Sequence, residues 1–219
     1  MQPQRRGRTV VAATPRFAPA CLAEDEMGDR LLFLKLWWRA PLKIAAWSPS
    51  SAAMGRGIAQ HVDPRSPYPV LELGGGTGSV TQALLEIGVA PSRLYVIERE
   101  PALCEVLRRR FPGVTVMEGD AAHLRALLAA HEVFRLSAVV STLPIIWFAP
   151  ENKRHIIEQA FDLMGDGGPF LQLTNQFRSP IEAKRLGLRG RMIEFVWRNL
   201  PPSFVWRYER PEAPSATLA

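Results

Sequence analysis

The sequence predicts an α/β fold, an open and mostly parallel sheet with helices on both faces. Three observations predict it. Short β-branched runs alternate with helical stretches between residues 70 and 186. The first run ends in a glycine-rich turn, Gly74-Gly75-Gly76-Thr77-Gly78, that opens a helix. Two later runs flank Asn199-Leu200-Pro201-Pro202 and read as an antiparallel pair closing one sheet edge.

In chain order, residues 1–28 are rich in Arg, Pro and Ala without periodicity and read as a disordered tail, as do residues 212–219. A helical period follows from Asp29, a plausible N-cap, to Ile44. Lys35, Arg39 and Lys43 recur at i, i+4 and i+8, while Phe33, Trp37, Ala40 and Ile44 fall on the opposite face and Pro41 kinks the helix. A basic stripe against an aromatic face resembles an interfacial membrane helix, with Phe33, Lys35, Trp37, Trp38, Arg39 and Lys43 as contacts. An ordinary core-packing helix with a solvated basic face is the alternative. Two adjacent tryptophans, costly to expose, favour the membrane reading. Ser50 or Ser51 then caps a helix reaching Val62, so residues 29–62 form an N-terminal helix and cap region and 63–211 the sheet-bearing domain. Strands are expected at 70–74, 94–98, 114–118, 136–141 and 170–174. Helices are expected at 78–87, 101–111, 122–130, 150–164 and, more weakly, 180–186; the antiparallel pair is expected at 191–198 and 204–208.

At 219 residues the chain suits one domain with a substantial core. Its 27 Lys+Arg against 21 Asp+Glu give a net charge of +6, which favours an anionic partner, nucleic acid or membrane. Cys21 and Cys104 lie in dissimilar segments and read as reduced thiols. No apolar run reaches the roughly 20 residues that span a bilayer, and Pro15 and Arg16 break the N-terminal apolar patch. A cytoplasmic protein without a secretory signal is expected.

The glycine turn carries the chemistry. Backbone N–H groups and a helix N-terminus point toward a ligand there. Dinucleotide enzymes use GxGxxG; this turn spells GxGxG, one residue shorter, with Glu72 two residues ahead of Gly74. S-adenosylmethionine has a sulfonium and an ammonium but no phosphate, so an entry carboxylate suits it better. Glu98 ends the second strand, placed to accept both ribose hydroxyls, and Asp120, before Ala121, ends the third, placed for the adenine amino group. Each acid could singly be a helix cap; together with the loop they point to S-adenosylmethionine as cofactor, S-adenosylhomocysteine as product, and no metal. Glu72, Gly74, Gly75, Gly76, Thr77, Gly78, Glu98, Asp120, Ala121 and Ser141 are the expected cofactor residues.

The fourth strand runs into Ser141-Thr142-Leu143-Pro144 and then Ile145-Ile146-Trp147-Phe148. Its carboxyl end faces the methyl donor in this architecture. Enzymes that methylate base amines place an amide or carboxylate and a stacking aromatic there; Ser141 and Ile145 supply neither. An aliphatic amine needs neither. Trp147 and Phe148 either face an ammonium through cation–π contact or pack in the core.

The order basic-aromatic helix, Pro-Ser-Ser turn, ELGxGTG, strand-end Glu, GDA, SxLP and closing NLPP resembles the bacterial phospholipid N-methyltransferases across residues 30–211. The resemblance implies a Rossmann-like, seven-stranded class I methyltransferase fold and N-methylation of phosphatidylethanolamine toward phosphatidylcholine. It also implies peripheral attachment to the inner face of the cytoplasmic membrane through the N-terminal helix. The implied partners are an anionic membrane surface and an amine phospholipid, with neither nucleic acid nor an obligate protein partner. Substrate contacts are expected at Ser141, Leu143, Pro144, Trp147 and Arg178, whose guanidinium fork matches a lipid phosphate, a surface arginine being the alternative. Gly75 stands where the family commonly has Pro, which should loosen the loop, and Asn175 where an aromatic is expected. No general base is evident: His123, His131 and His155 read as surface residues. Rival readings are an N-methyltransferase of another amine lipid such as an ornithine lipid, an rRNA adenine dimethylase-like enzyme, and a non-catalytic membrane module.

Overall fold

The computed structural model describes residues 49–165, 167–197 and 202–211. Phe33, Lys35, Trp37, Trp38, Arg39 and Lys43, both tails, and Asn199-Leu200-Pro201 lie outside the described residues.

The elements are α1 (Pro49–Ala59), β1 (Val70–Leu73), α2 (Ser79–Glu86), β2 (Leu94–Glu98), α3 (Pro101–Arg110), β3 (Thr115–Glu118), α4 (Leu124–Ala129), β4 (Ala138–Ser141), α5 (Pro150–Met164), β5 (Phe170–Thr174), β6 (Arg189–Val196) and β7 (Ser203–Glu209). Short 3₁₀ turns sit at Ala121–His123, Ile145–Trp147 and Ala183–Leu186, the last where a weak helix was expected. Ser50 and Ser51 fall inside the first turn of α1, which starts at Pro49, so neither precedes the helix as its cap. Proline suits a first helical position because its missing N–H would have no intrahelical partner there.

The described strands form one seven-stranded sheet in the order β3-β2-β1-β4-β5-β7-β6. β1 through β5 run parallel, and β7 pairs antiparallel with both β5 and β6. This is the Rossmann-like class I methyltransferase sheet that the resemblance implies. The strand order reverses between β1 and β4, so the crossover helices leave for opposite faces and a crevice opens at the carboxyl ends.

Alternation along the strands divides the core. Val70, Leu94, Val96, Ala138, Val140 and Leu171 meet α1, α2 and α3 through residues such as Ile58, Leu84 and Leu107. Leu71, Leu73, Ile97, Val139 and Phe170 meet α4 and α5 through Leu124, Leu128, Ile157 and Phe161. The central strands are therefore apolar on both faces, as buried parallel strands must be. The expected domain start at residue 63 leaves out α1, although Ile58, Ala59 and Val62 are buried in this core. No described helix is long and apolar enough to cross a membrane.

Candidate cofactor and acceptor site

Three backbone strands lace the glycine loop into the sheet. Gly74 N–H donates to the Ile97 carbonyl (2.8 Å), and Thr142 N–H donates to the Leu73 carbonyl (3.0 Å). Thr142 Oγ1 also donates to the Gly74 carbonyl at 2.6 Å. On its outer side, Arg110 donates to the Thr77 carbonyl at 2.6 Å. Gly75 is buried, and a Cβ there would lie 2.5 Å from Val96 Cγ1 and 2.8 Å from Leu107 Cδ1. Gly75 therefore leaves no room for a Cβ unless Val96 and Leu107 shift. Gly76 is the opposite: its φ is +53° and nothing lies within 4 Å of a Cβ position, so the backbone faces open space.

The acids occupy the same edge in three environments. Glu98 is nearly buried, with Oε2 accepting from Gly76 N–H (2.9 Å) and Oε1 from Arg99 and Glu100 N–H (2.7 and 2.9 Å). Asp120 is exposed; Oδ1 accepts from Ala122 N–H at 2.8 Å and caps the 3₁₀ turn, while Oδ2 stands 4.0 Å from the Arg99 guanidinium. Ala121 behind it is buried. Glu72 is fully buried. Its Oε2 accepts from Thr81 Oγ1 at 2.7 Å, and its Oε1 has no hydrogen-bond partner. Burial, partly offset by the Thr81 hydrogen bond and reinforced by the Glu98 charge, pushes the Glu72 carboxyl up to about 8.

These residues fit S-adenosylmethionine. The orphaned Glu72 oxygen is an acceptor awaiting a donor, such as an ammonium. Glu98 Oε2, which accepts only from Gly76 N–H, retains a lone pair for a hydroxyl donor, since a carboxylate offers about four acceptor sites and three are taken. The loop at Gly76 leaves the space a small ligand needs.

The acceptor side comes from β4 and β5. Ser141 is fully buried and its Oγ accepts from Leu143 N–H at 3.4 Å. Leu143 and Pro144 are half-buried, and Trp147 is 53% exposed, so the indole is not a core residue. Phe148 packs partly against the core, and Ile145 is buried in it. No aromatic face therefore stands at position 145. Arg178 is exposed in the turn after β5, on the same sheet edge. Asn175, where an aromatic was expected, is exposed and accepts from Ser203 Oγ at 2.8 Å. His123, His131 and His155 are exposed, as expected.

Sequence reasoning missed two residues here: Thr81 and Gln172. Gln172 is fully buried in register with Ser141. Its Nε2 donates to the carbonyls of Leu143 (2.9 Å) and Leu173 (2.7 Å), and its Oε1 has no partner. A lone polar residue in the apolar run Phe170-Leu171-Gln172-Leu173 was the available signal, because a central strand buries both faces. A cavity of about 480 Å³ between Arg125, Phe134, Asp162, Leu163 and Arg210 contains none of these groups.

Residues 70–168 match the model of the methyltransferase domain. The chain is 31% identical over 183 residues to the ornithine lipid N-methyltransferase of Singulisphaera acidiphila, covering 81% of this chain and 94% of that protein. It is 30% identical over 181 residues to ribosomal RNA small subunit methyltransferase A of Anaeromyxobacter dehalogenans, covering 74% of this chain but only 60% of that one. Among solved structures, the Haemonchus contortus phosphoethanolamine N-methyltransferase 1, bound to phosphoethanolamine and S-adenosylhomocysteine, superposes over 93% of this chain and 53% of its own. The TM-score is 0.60 at 12% identity, a likeness of fold. With the loop, the strand-end acids and the sheet order in place, the chain belongs to the class I S-adenosylmethionine-dependent methyltransferases.

Proposed function

We propose that this enzyme N-methylates an aliphatic amine on a membrane lipid, an ornithine-type lipid before phosphatidylethanolamine. One observation carries the choice: the likeness to an ornithine lipid N-methyltransferase extends over 94% of that protein. Phosphatidylethanolamine, to which the sequence resemblance pointed, offers a similar primary amine. The acceptor corner supports an aliphatic amine over a base, since Ile145 is buried and Ser141 replaces an amide.

When bound, S-adenosylmethionine supplies an electrophilic methyl group. The chain's task is to align it with a nitrogen lone pair. In this reading Glu72 Oε1 and the loop amides hold the amino-acid end, Glu98 the ribose and Asp120 the adenine. Ser141, Leu143 and Pro144 shape the acceptor pocket, and Trp147 flanks its mouth. Arg178 pairs with the headgroup anion, carboxylate or phosphate, either of which fits a guanidinium fork. With His123, His131 and His155 on the surface, the amine enters in its neutral form, having lost its proton to solvent. Membrane attachment through Phe33, Lys35, Trp37, Trp38, Arg39 and Lys43 belongs to the same proposal.

The test supplies labelled S-adenosylmethionine with ornithine-lipid vesicles, phosphatidylethanolamine vesicles and rRNA in parallel. Label is expected first in the ornithine lipid. Label confined to rRNA overturns the lipid reading. Unchanged vesicle activity in Arg178→Ala removes Arg178 from the headgroup site.

A further inference from the structure

We infer that Gln172 Oε1 and Trp206 Nε1 form a recognition pair for a secondary amide on the acceptor, one that selects an N-acyl amino-acid lipid. The inference rests on the amine-lipid reading and adds the residues that distinguish one such lipid from another. Among the described residues, four buried side-chain nitrogen or oxygen atoms have no hydrogen-bond partner: His61 Nε2, Glu72 Oε1, Gln172 Oε1 and Trp206 Nε1. The last two belong to residues directly opposite each other on β5 and β7, so their side chains share one sheet face. Leaving buried polar atoms unpaired is costly, and two on one cross-strand pair mark a place built for a partner.

The pair adjoins the acceptor corner. Ser141, Gln172 and Trp206 form a polar row across β4, β5 and β7. Two residues toward the amino ends, the same face carries Val139, Phe170 and Tyr208, all buried in the core. Gln172 Nε2 donates to the carbonyls of Leu143 and Leu173. The amide therefore cannot be turned over without setting oxygen against oxygen, and Oε1 is fixed as the free acceptor. An indole nitrogen only donates. Trp206 is half-buried and Met192 beyond it is exposed, so the row runs from Ser141 out to the sheet edge.

This pair demands a ligand that both donates and accepts. A secondary amide presents N–H and C=O on one planar unit and satisfies both atoms. A phosphodiester presents acceptors alone, and its oxygens would meet Gln172 Oε1 unfavourably. In an ornithine lipid, four carbons separate the terminal amine from the acylated nitrogen, about 6 Å when extended. Strand spacing sets Gln172 and Trp206 roughly 5 and 10 Å from the strand of Ser141. An amine at the end of β4 thus leaves its amide over this pair.

The experiment uses the full chain and three dispersed acceptors: N-acyl ornithine, its ester analogue with oxygen replacing the amide N–H, and a long-chain alkylamine. Wild type is expected to favour the amide over the ester on the order of tenfold in kcat/KM, one net hydrogen bond. In Gln172→Leu that preference should collapse toward unity, whereas a merely structural role lowers both rates and keeps their ratio. Trp206→Phe should lower amide and ester alike, on the order of tenfold relative to the alkylamine, which has no carbonyl. The wild-type comparison needs no variant and stands if either variant is misfolded by circular dichroism. Equal kcat/KM for amide and ester in wild type, or an amide preference that survives in folded Gln172→Leu, overturns the inference alone. Transfer to none of the three acceptors, with label entering rRNA, refutes the amine-lipid reading and the inference with it.

Discussion

Glu72→Gln perturbs the one carboxyl, among the described residues, that is buried with an oxygen unpartnered. Its ordinary value of 4.5 is pushed up to about 8 by burial, against the Thr81 hydrogen bond. Because the folded-state value lies above the unfolded one, the folded chain keeps a proton that the unfolded chain releases across this range. This group's stabilisation is complete below pH 4.5, declines as pH rises, and is lost by about pH 8. At about 1.4 kcal/mol per pKa unit the window is worth on the order of 5 kcal/mol. Glutamine keeps an oxygen for Thr81 and cannot ionise. Without cofactor, the variant should match wild type near pH 4.5 and become progressively the more stable toward pH 8. Cofactor affinity should move oppositely, weakening about ten- to a hundredfold for a lost charge-assisted hydrogen bond of about 1.5–3 kcal/mol. In wild type, cofactor binding should release a proton below pH 8 if its ammonium meets Glu72. Urea unfolding at four pH values, with calorimetric titration in buffers of different ionisation enthalpy, reads both effects. A stability difference that is constant from pH 5 to pH 8 refutes the reasoning.

Thr81→Val should destabilise the chain by about 1–3 kcal/mol, measured by urea unfolding, because it leaves both Glu72 oxygens buried and unpaired. Gln172→Leu removes one of the two hydrogen bonds to the Leu143 carbonyl, which keeps that from Ile145 N–H at 2.7 Å. It should raise KM for the acceptor while leaving the cofactor Kd within about twofold, since the amide touches only the acceptor side. Asp120→Ala should cost about 1 kcal/mol through the lost cap at Ala122 and also weaken the cofactor. Asp120→Asn keeps the cap, so an unchanged cofactor Kd in that variant would reduce Asp120 to a structural role.

Much of the fold was legible because its determinants are local. The runs at 70–74, 94–98 and 170–174 are short and mostly apolar, and the glycine turn announces a parallel sheet by itself. The boundary at β4 was overextended to Leu136 because apolar content does not mark where pairing begins; the ladder starts at Ala138. In the site, Glu72, Glu98 and Asp120 were legible from their spacing to strand ends. Thr81 was not, because its role depends on which helix face turns toward β1. Gln172 was hidden for a related reason: its meaning comes from lying beside Ser141, 31 positions away in sequence. Trp206 likewise looked like an ordinary strand residue until pairing placed it opposite Gln172.

Local chemistry in the sequence determined the alternation of elements, the glycine loop with its strand-end acids and hence the class of cofactor. These depend on residue type at short spacing. Only the tertiary structure decided the insertion of β7 between β5 and β6, the burial that raises Glu72, and the pairing of Gln172 with Ser141. It also decided which aromatics stay outside. Burial and register are properties of what packs against a residue, and that is settled when distant segments meet.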